Sequence, residues 1–322
     1  QQAFLGYQTY LFDENPSGSS NYTSNVPNGG NYYQQNSITT TGFNGKLTGN
    51  FATSYKDRLY IGLNLNAHFT DYVKATSVYE SNNNPLFSSG YTATALQFDN
   101  ELYTYGTGFS INLGAIVKVT EGFRAGIAYE SPTWYRLTDE LTQRLIVNTT
   151  DGTDDFQEVI APNVVNLYPV YTIQTPSKIT FSGAFIFNKK GLLSIDYGMK
   201  DYSNIKFKPT NDALFNNLNT QIRQQFNSAY ELRIGGEIKI KNWSIRGGYR
   251  FEESPYKLTT TMGDLIGYSG GLGYNFSESK LDFAFANDSR NKQIAFLSSG
   301  MTDTAQVRTS NNNVTVTYSI YF

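Results

Sequence analysis

The chain has 322 residues, a formal net charge of -2, no cysteine and one histidine. That balance excludes a disulfide framework, a thiolate metal site, a thiol nucleophile and a multi-histidine metal centre. Scattered Lys and Arg argue against nucleic acid as a partner. Aromatics reach 15%, with 25 Tyr and 22 Phe against 2 Trp, a balance that suits strands better than helices. The mean hydropathy of -0.41 would ordinarily indicate a soluble protein, but a membrane β-barrel hides its apolar residues at every second position and escapes that average.

The first predicted element is a strand in AFLGYQTYLF, with Leu5, Tyr7 and Leu11 on one face and Phe4, Tyr10 and Phe12 on the other. Such a strand would present apolar groups to a lumen, which suits a hydrophobic passenger or a packed hatch. The next strand carries Phe43, Gly45, Leu47, Gly49 and Phe51 on one face. In RLYIGLNLNAHFTDY, Leu59, Ile61, Leu63, Leu65, Ala67 and Phe69 alternate with Tyr60, Gly62, Asn64, Asn66, His68 and Thr70. A period of two sends the sets to opposite sides of an extended chain. The pattern repeats at Phe109–Val117, Phe123–Tyr129, Ile179–Phe187 and Leu193–Met199.

One segment then changes period. In TNDALFNNLNTQIRQQFN, Leu214, Leu218, Ile222 and Phe226 recur every four residues, predicting a short amphipathic helix with Asn211 or Asp212 as its cap. The apolar stripe would bury itself against a barrel mouth, or Leu214, Phe215, Leu218 and Ile222 would form part of a greasy collecting surface. Strand patterning resumes at Tyr230–Ile240, Trp243–Phe251, Ile266–Phe276, Leu281–Phe285 and Val314–Phe322.

About twelve strands result. Tight connections such as SYKDR, VTEGF, NKKG, IKNW and FSESK alternate with long polar ones near 13–37, 79–97, 132–175, 203–228, 253–263 and 288–312. The expected fold is all-β: a transmembrane antiparallel up-and-down barrel in the outer membrane of a Gram-negative cell, short turns periplasmic and long loops extracellular. The competing fold, a soluble sandwich or adhesin, would also alternate, but this apolar face is too aromatic and continuous for one modest core. The ending VTVTYSIYF, closing on Phe322, resembles the C-terminal signal read by the outer-membrane barrel assembly machinery.

Catalytic constellations are hard to assemble, and no enzyme, cofactor or metal is expected. His68 is the lone histidine and reads as a lumen-wall residue rather than the base of a barrel hydrolase. Asp139 with Glu140, and Asp154 with Asp155, read as solvated loop charge rather than a calcium site. Neither GxSxG nor a phosphate loop occurs.

Four stretches together resemble the FadL/TodX family of outer-membrane transporters: NLGAIVKVTEGFRAGIAYESPTWYRL, TPSKITFSGAFIF, LLSIDYGMKDYSNIKF and YELRIGGEIKIKNWSIRGGYRFEESP, with breaks at Ser131–Pro132 and Pro255. The resemblance implies a fourteen-strand barrel with an N-terminal hatch, so residues 1–322 are expected to form a single barrel without that hatch and the earliest strands. It also implies passive transport of hydrophobic small molecules such as long-chain fatty acids, captured at an extracellular apolar site and released through the barrel; the ligand-binding candidates are Leu214, Phe215, Leu218 and Ile222 on the loop helix and Leu5, Tyr7 and Leu11 on the strand beside the lumen. Outer-membrane lipid and the hydrophobic ligand are the expected partners. The alternative is a barrel serving as scaffold or accessory subunit of an envelope complex, with a further protein partner.

Overall fold

The computed structural model describes residues 1–15, 21–188, 190–297 and 303–321. The element order is α1 (Gln2–Gln8), β1 (Phe12–Glu14), β2 (Tyr22–Ser24), β3 (Tyr32–Tyr55), β4 (Leu59–Asn82), β5 (Thr92–Lys118), β6 (Phe123–Glu130) and β7 (Trp134–Thr150). Short strands follow: β8 (Asp155–Ile160), β9 (Asn166–Leu167) and β10 (Tyr171–Gln174). Then come β11 (Lys178–Phe187), β12 (Gly191–Asp201), a 3-10 turn at Tyr202–Asn204, β13 (Lys206–Lys208) and α2 (Ala213–Gln225). The chain finishes with β14 (Ser228–Ile240), β15 (Trp243–Glu252), β16 (Met262–Asn275), β17 (Ser279–Ala295) and β18 (Thr304–Ile320). No helix among the described residues is long and apolar enough to cross a membrane.

The wall strands pair in antiparallel register, β6 with β11 across the excursion of β7 to β10, then β12, β14, β15, β16, β17 and β18 in turn. Five tight turns join β3 to β4, β5 to β6, β11 to β12, β14 to β15, and β16 to β17, where the sequence places them. The strands run on past the apolar alternation. β4 reaches Asn82, β5 begins at Thr92 and β17 ends at Ala295, so much of the connections expected near 79–97 and 288–312 is paired strand. In β17 and β18 the extension is polar at nearly every position and shows no hydrophobic period, whereas in β5 it turns Ala93, Leu96 and Phe98 to a core.

The first predicted strand is corrected: residues 2–8 form a helix, with Leu5 fully buried and Tyr7 41% exposed. Seven residues of mixed apolar character carry too little periodicity to separate the two states. The terminal Phe322 lies outside the described residues.

The chain divides into two compact units. The first comprises Gln1–Gly45, Phe69–Gly106 and Leu137–Val170. Its core is conventional: Leu5, Ala93, Leu145 and Val147 are buried, with Leu11, Val26, Leu96, Phe98 and Ile160 packed against them. Asn25 closes the N-terminal segment by donating from Nδ2 to the Tyr10 carbonyl (2.9 Å) and Asp13 (2.8 Å). At its margin the Phe69 ring lies over Gly45, where a Cβ would fall 1.8 Å from a ring carbon, so a side chain there would have to displace the ring.

The second unit comprises Lys46–His68, Thr107–Arg136 and Tyr171–Phe322. Here the expected polarity is inverted. Phe181, Phe185, Leu193, Ile195, Ile238, Ile245, Leu272, Phe283 and Val316 are all 46–65% exposed, while Ser244 on the other face is 6% exposed. Phe283 and Leu193 sit near the lower end of that span, at 46% and 47%.

Candidate functional site

The apolar face of the second unit is framed by aromatics at both ends. Trp243, Tyr274 and Phe276 form a chain with centroids 4.8 and 4.6 Å apart near the tight turns, and Phe123 meets Phe185 at 4.6 Å. At the opposite strand ends Tyr230 meets Tyr197 at 5.8 Å and Phe251 at 5.4 Å. Eight residue steps from Trp243 to Phe251 span about 26 Å at ~3.3 Å each, or about 20 Å at the ~40° tilt of membrane strands. Amphipathic rings bounding an exposed apolar band are what a membrane interface selects. Above that band the same positions turn polar: Asn287 donates to Ser310 (3.0 Å) and Asn312 (2.8 Å).

The other face is a charge lattice. Arg246 donates from Nε to Glu237 and from Nη1 to Asp282, both at 2.6 Å, and Lys280 reaches Asp282 at 2.8 Å. Nearer the long connections, Glu231 lies directly opposite Glu252 and Arg233 directly opposite Arg250. Like charges in register repel. Opposite charges nearby relieve this: Arg233 reaches Glu231 two residues along its own strand (3.4 Å) and Glu252 diagonally across (3.9 Å), Arg250 pairs with Glu252 along β15, and Lys178 pairs with Glu231.

His68 belongs to a polar cluster on the same unit. Its Nε2 lies 2.9 Å from Ser110 Oγ, and Tyr135 OH lies 3.4 Å from Nδ1. This resembles a nucleophile and base, a juxtaposition that no local motif announces. Ser110 is only 4% exposed, however, and accepts from Asn66 Nδ2 at 3.2 Å, while the third partner is a phenol rather than a carboxylate. Asn66 is itself 1% exposed and bonded to Thr48 and Asn112, so the cluster ties β3, β4 and β5 together. Of the acidic pairs, Asp139 accepts from Thr104 (2.6 Å) and Glu140 from Tyr105 (3.1 Å). Among the described residues, no group of three or more His, Cys, Asp and Glu is placed to hold a metal ion.

The predicted helix is present. Asp212 caps it, accepting from the Leu214 (2.9 Å) and Phe215 (3.1 Å) amides. Phe215 joins Tyr171 and Phe207 in a ring trio with centroids 5.8–6.0 Å apart. Leu218 and Ile222 are half-buried, whereas Leu214 is 65% exposed. What seats the helix is polar: Asn219, 4% exposed, accepts from the Phe207 amide (2.7 Å) and donates to its carbonyl (2.9 Å), standing in for a strand partner.

Of the N-terminal candidates, Leu5 is core, Leu11 packs on that core and Tyr7 lies against Phe12, so the three do not share a face. The first unit carries a different apolar surface. Tyr91 meets Tyr10 at 6.3 Å and Phe156 edge-on at 5.5 Å and 89°, each ring 42–48% exposed, with Leu86 and Phe87 nearby in sequence and also exposed. These residues come from three separated segments without periodic patterning, so only folding reveals them.

A family model for outer membrane protein transport proteins (OMPP1/FadL/TodX) matches residues 16–321. No curated protein is matched. Among solved structures, a FadL homologue of Pseudomonas aeruginosa is similar at 14% identity and a TM-score of 0.45, covering 85% of this chain and 77% of that one. The toluene transporter TbuX of Ralstonia pickettii gives 15% and 0.41, covering 92% and 79%. The toluene transporter TodX of Pseudomonas putida gives 11% and 0.40, covering 92% and 90%. The sequence match over nearly the whole chain, on an antiparallel wall whose exposed face is the apolar one, makes this chain a member of the OMPP1/FadL/TodX family of outer-membrane transport proteins.

Proposed function

We propose that the chain passes hydrophobic small molecules across the outer membrane by passive diffusion, capturing them at exposed apolar groups on its long connections. Long-chain fatty acids and monoaromatic hydrocarbons are the cargo classes, the latter drawn from the toluene transporters it is similar to. The observation that carries the reading is the Tyr10, Tyr91 and Phe156 cluster, three rings 42–48% exposed that converge from separate segments of the unit whose small core is Leu5, Ala93, Leu145 and Val147. Burial against such rings contributes about 25 cal/mol per Å² of apolar area, enough for capture and weak enough for release. The helix α2 with Leu214, Phe215, Leu218 and Ile222 is a second apolar element for the same task. Leu5, Tyr7 and Leu11 support the N-terminal segment that holds Tyr10.

Uptake of radiolabelled oleate and of toluene by cells lacking their own transporter tests this. Tyr91→Asp combined with Phe156→Asp is expected to cut uptake about tenfold, the equivalent of ~1.4 kcal/mol of lost capture, at unchanged surface abundance. Leu218→Asp is expected to cut it less. Full uptake by the double variant would overturn the proposed site.

A further inference from the structure

The first unit also holds a cavity of about 600 Å³ with the opposite chemistry. It lies on the sheet face away from the core: Asp99 alternates with Phe98 along β5, and Arg144 with Leu145 along β7, the apolar member of each pair going to the core. At its centre Asp99 is fixed rather than free. Arg144 donates to it from Nε (2.9 Å) and Nη2 (2.6 Å), and Gln97 Nε2 bridges both carboxylate oxygens at 3.0 and 3.2 Å. Around this pair stand the hydroxyls of Ser37, Thr39 and Thr142 and the amide of Asn163, whose backbone takes the left-handed conformation at φ 53° to form the rim. None of these four side chains hydrogen-bonds to another described residue.

We infer that this cleft binds a neutral saccharide. The volume falls within the ~300–1,000 Å³ of small-molecule sites, and three of the four unpaired groups, Ser37, Thr39 and Thr142, are held on the strands β3 and β7. A polyol needs both kinds of partner at once, and hydroxyl, amide, carboxylate and guanidinium supply them. No aromatic ring lines the cleft, which sets it apart from the apolar capture surface. Two carboxylates, Asp99 and Glu101, against one guanidinium, Arg144, disfavour phosphate or acidic sugars.

The test uses the full chain folded in an amine-oxide detergent, which carries no sugar, on an array of neutral and acidic oligosaccharides, followed by calorimetric titration of the best neutral glycan. Retention of neutral glycans is expected, with affinity reduced at least tenfold by Thr142→Arg, which fills part of the cleft, and by Asp99→Asn. Lys239→Ala, on the charge lattice of β14, controls for general damage. Retention of acidic glycans alone, of no glycan, or binding indifferent to Thr142→Arg would overturn the inference. Presenting the same glycan free and on lipid vesicles separates the sources: equal affinity identifies a soluble sugar, and tighter binding on vesicles identifies a surface glycolipid. Hydrophobic uptake is a separate readout, so failure here leaves the capture site standing.

Discussion

The two units use the same amino acids in opposite ways. In the first, Leu5, Ala93, Leu145 and Val147 form a small buried core and charged side chains such as Arg144 stay out, although Ile38, Phe43 and Leu167 remain exposed. In the second, Ile195, Phe181 and Val316 are exposed while Arg246, Glu237 and Asp282 compensate one another on the opposite face. The difference lies in the solvent each was selected for. Water rewards apolar burial, whereas hydrocarbon is indifferent to it and penalises unpaired polar groups.

That contrast can be broken most directly in the first unit. Leu5→Ala empties a fully buried site and is expected to cost about 2–5 kcal/mol, read as faster amide exchange across residues 1–45 and 92–98 while the wall strands β14–β17 keep their protection. Equal loss in both units would deny that they are separately organised. On the wall, Ile195→Arg is expected to cost about 2–4 kcal/mol in folding into phospholipid vesicles, the depth-dependent penalty of a cation facing lipid. Ser194→Arg, one residue along and on the charged face, should cost far less. If the two cost the same, the apolar face does not meet hydrocarbon.

Smaller effects sharpen the comparison. Asn219→Ala leaves the Phe207 amide and carbonyl without partners and is expected to cost about 1–3 kcal/mol, seen as local exchange at α2 with the wall unchanged. The smallest concerns pH. Burial raises the Asp99 carboxyl, but hydrogen bonds from Ser77, Gln97 and Arg144 and the Arg144 charge outweigh it, leaving Asp99 below its ordinary value. The sign follows: a depressed carboxylate contributes stability above its unfolded pKa and loses it only as pH falls through the lower folded value. Glycan binding and first-unit stability should therefore hold from pH 8 to pH 5, and a midpoint within that window would show that Asp99 is not held as described.

Much of the wall was legible because membrane strands state their orientation twice, once in each face. The alternations at Ile179–Phe187 and Tyr230–Ile240 correspond to β11 and β14, and the four-residue period of Leu214, Leu218 and Ile222 to α2. The segment at Phe4–Phe12 misled because alternating large side chains over a few residues suit a strand and a short helix equally. Asn219 gave no signal as the residue that seats α2, since its role depends on meeting Phe207 twelve positions away.

The amino-acid order alone determined the strand faces, the tight turns and the inverted polarity, because each rests on a local period repeated within a single element. Only the tertiary structure decided which unpatterned residues converge: the Tyr10, Tyr91 and Phe156 rings, the Asp99 cleft, and the pairing of His68 with Ser110. Such sites join side chains tens of residues apart through strand register, and register is a property of neighbouring strands rather than of any one of them.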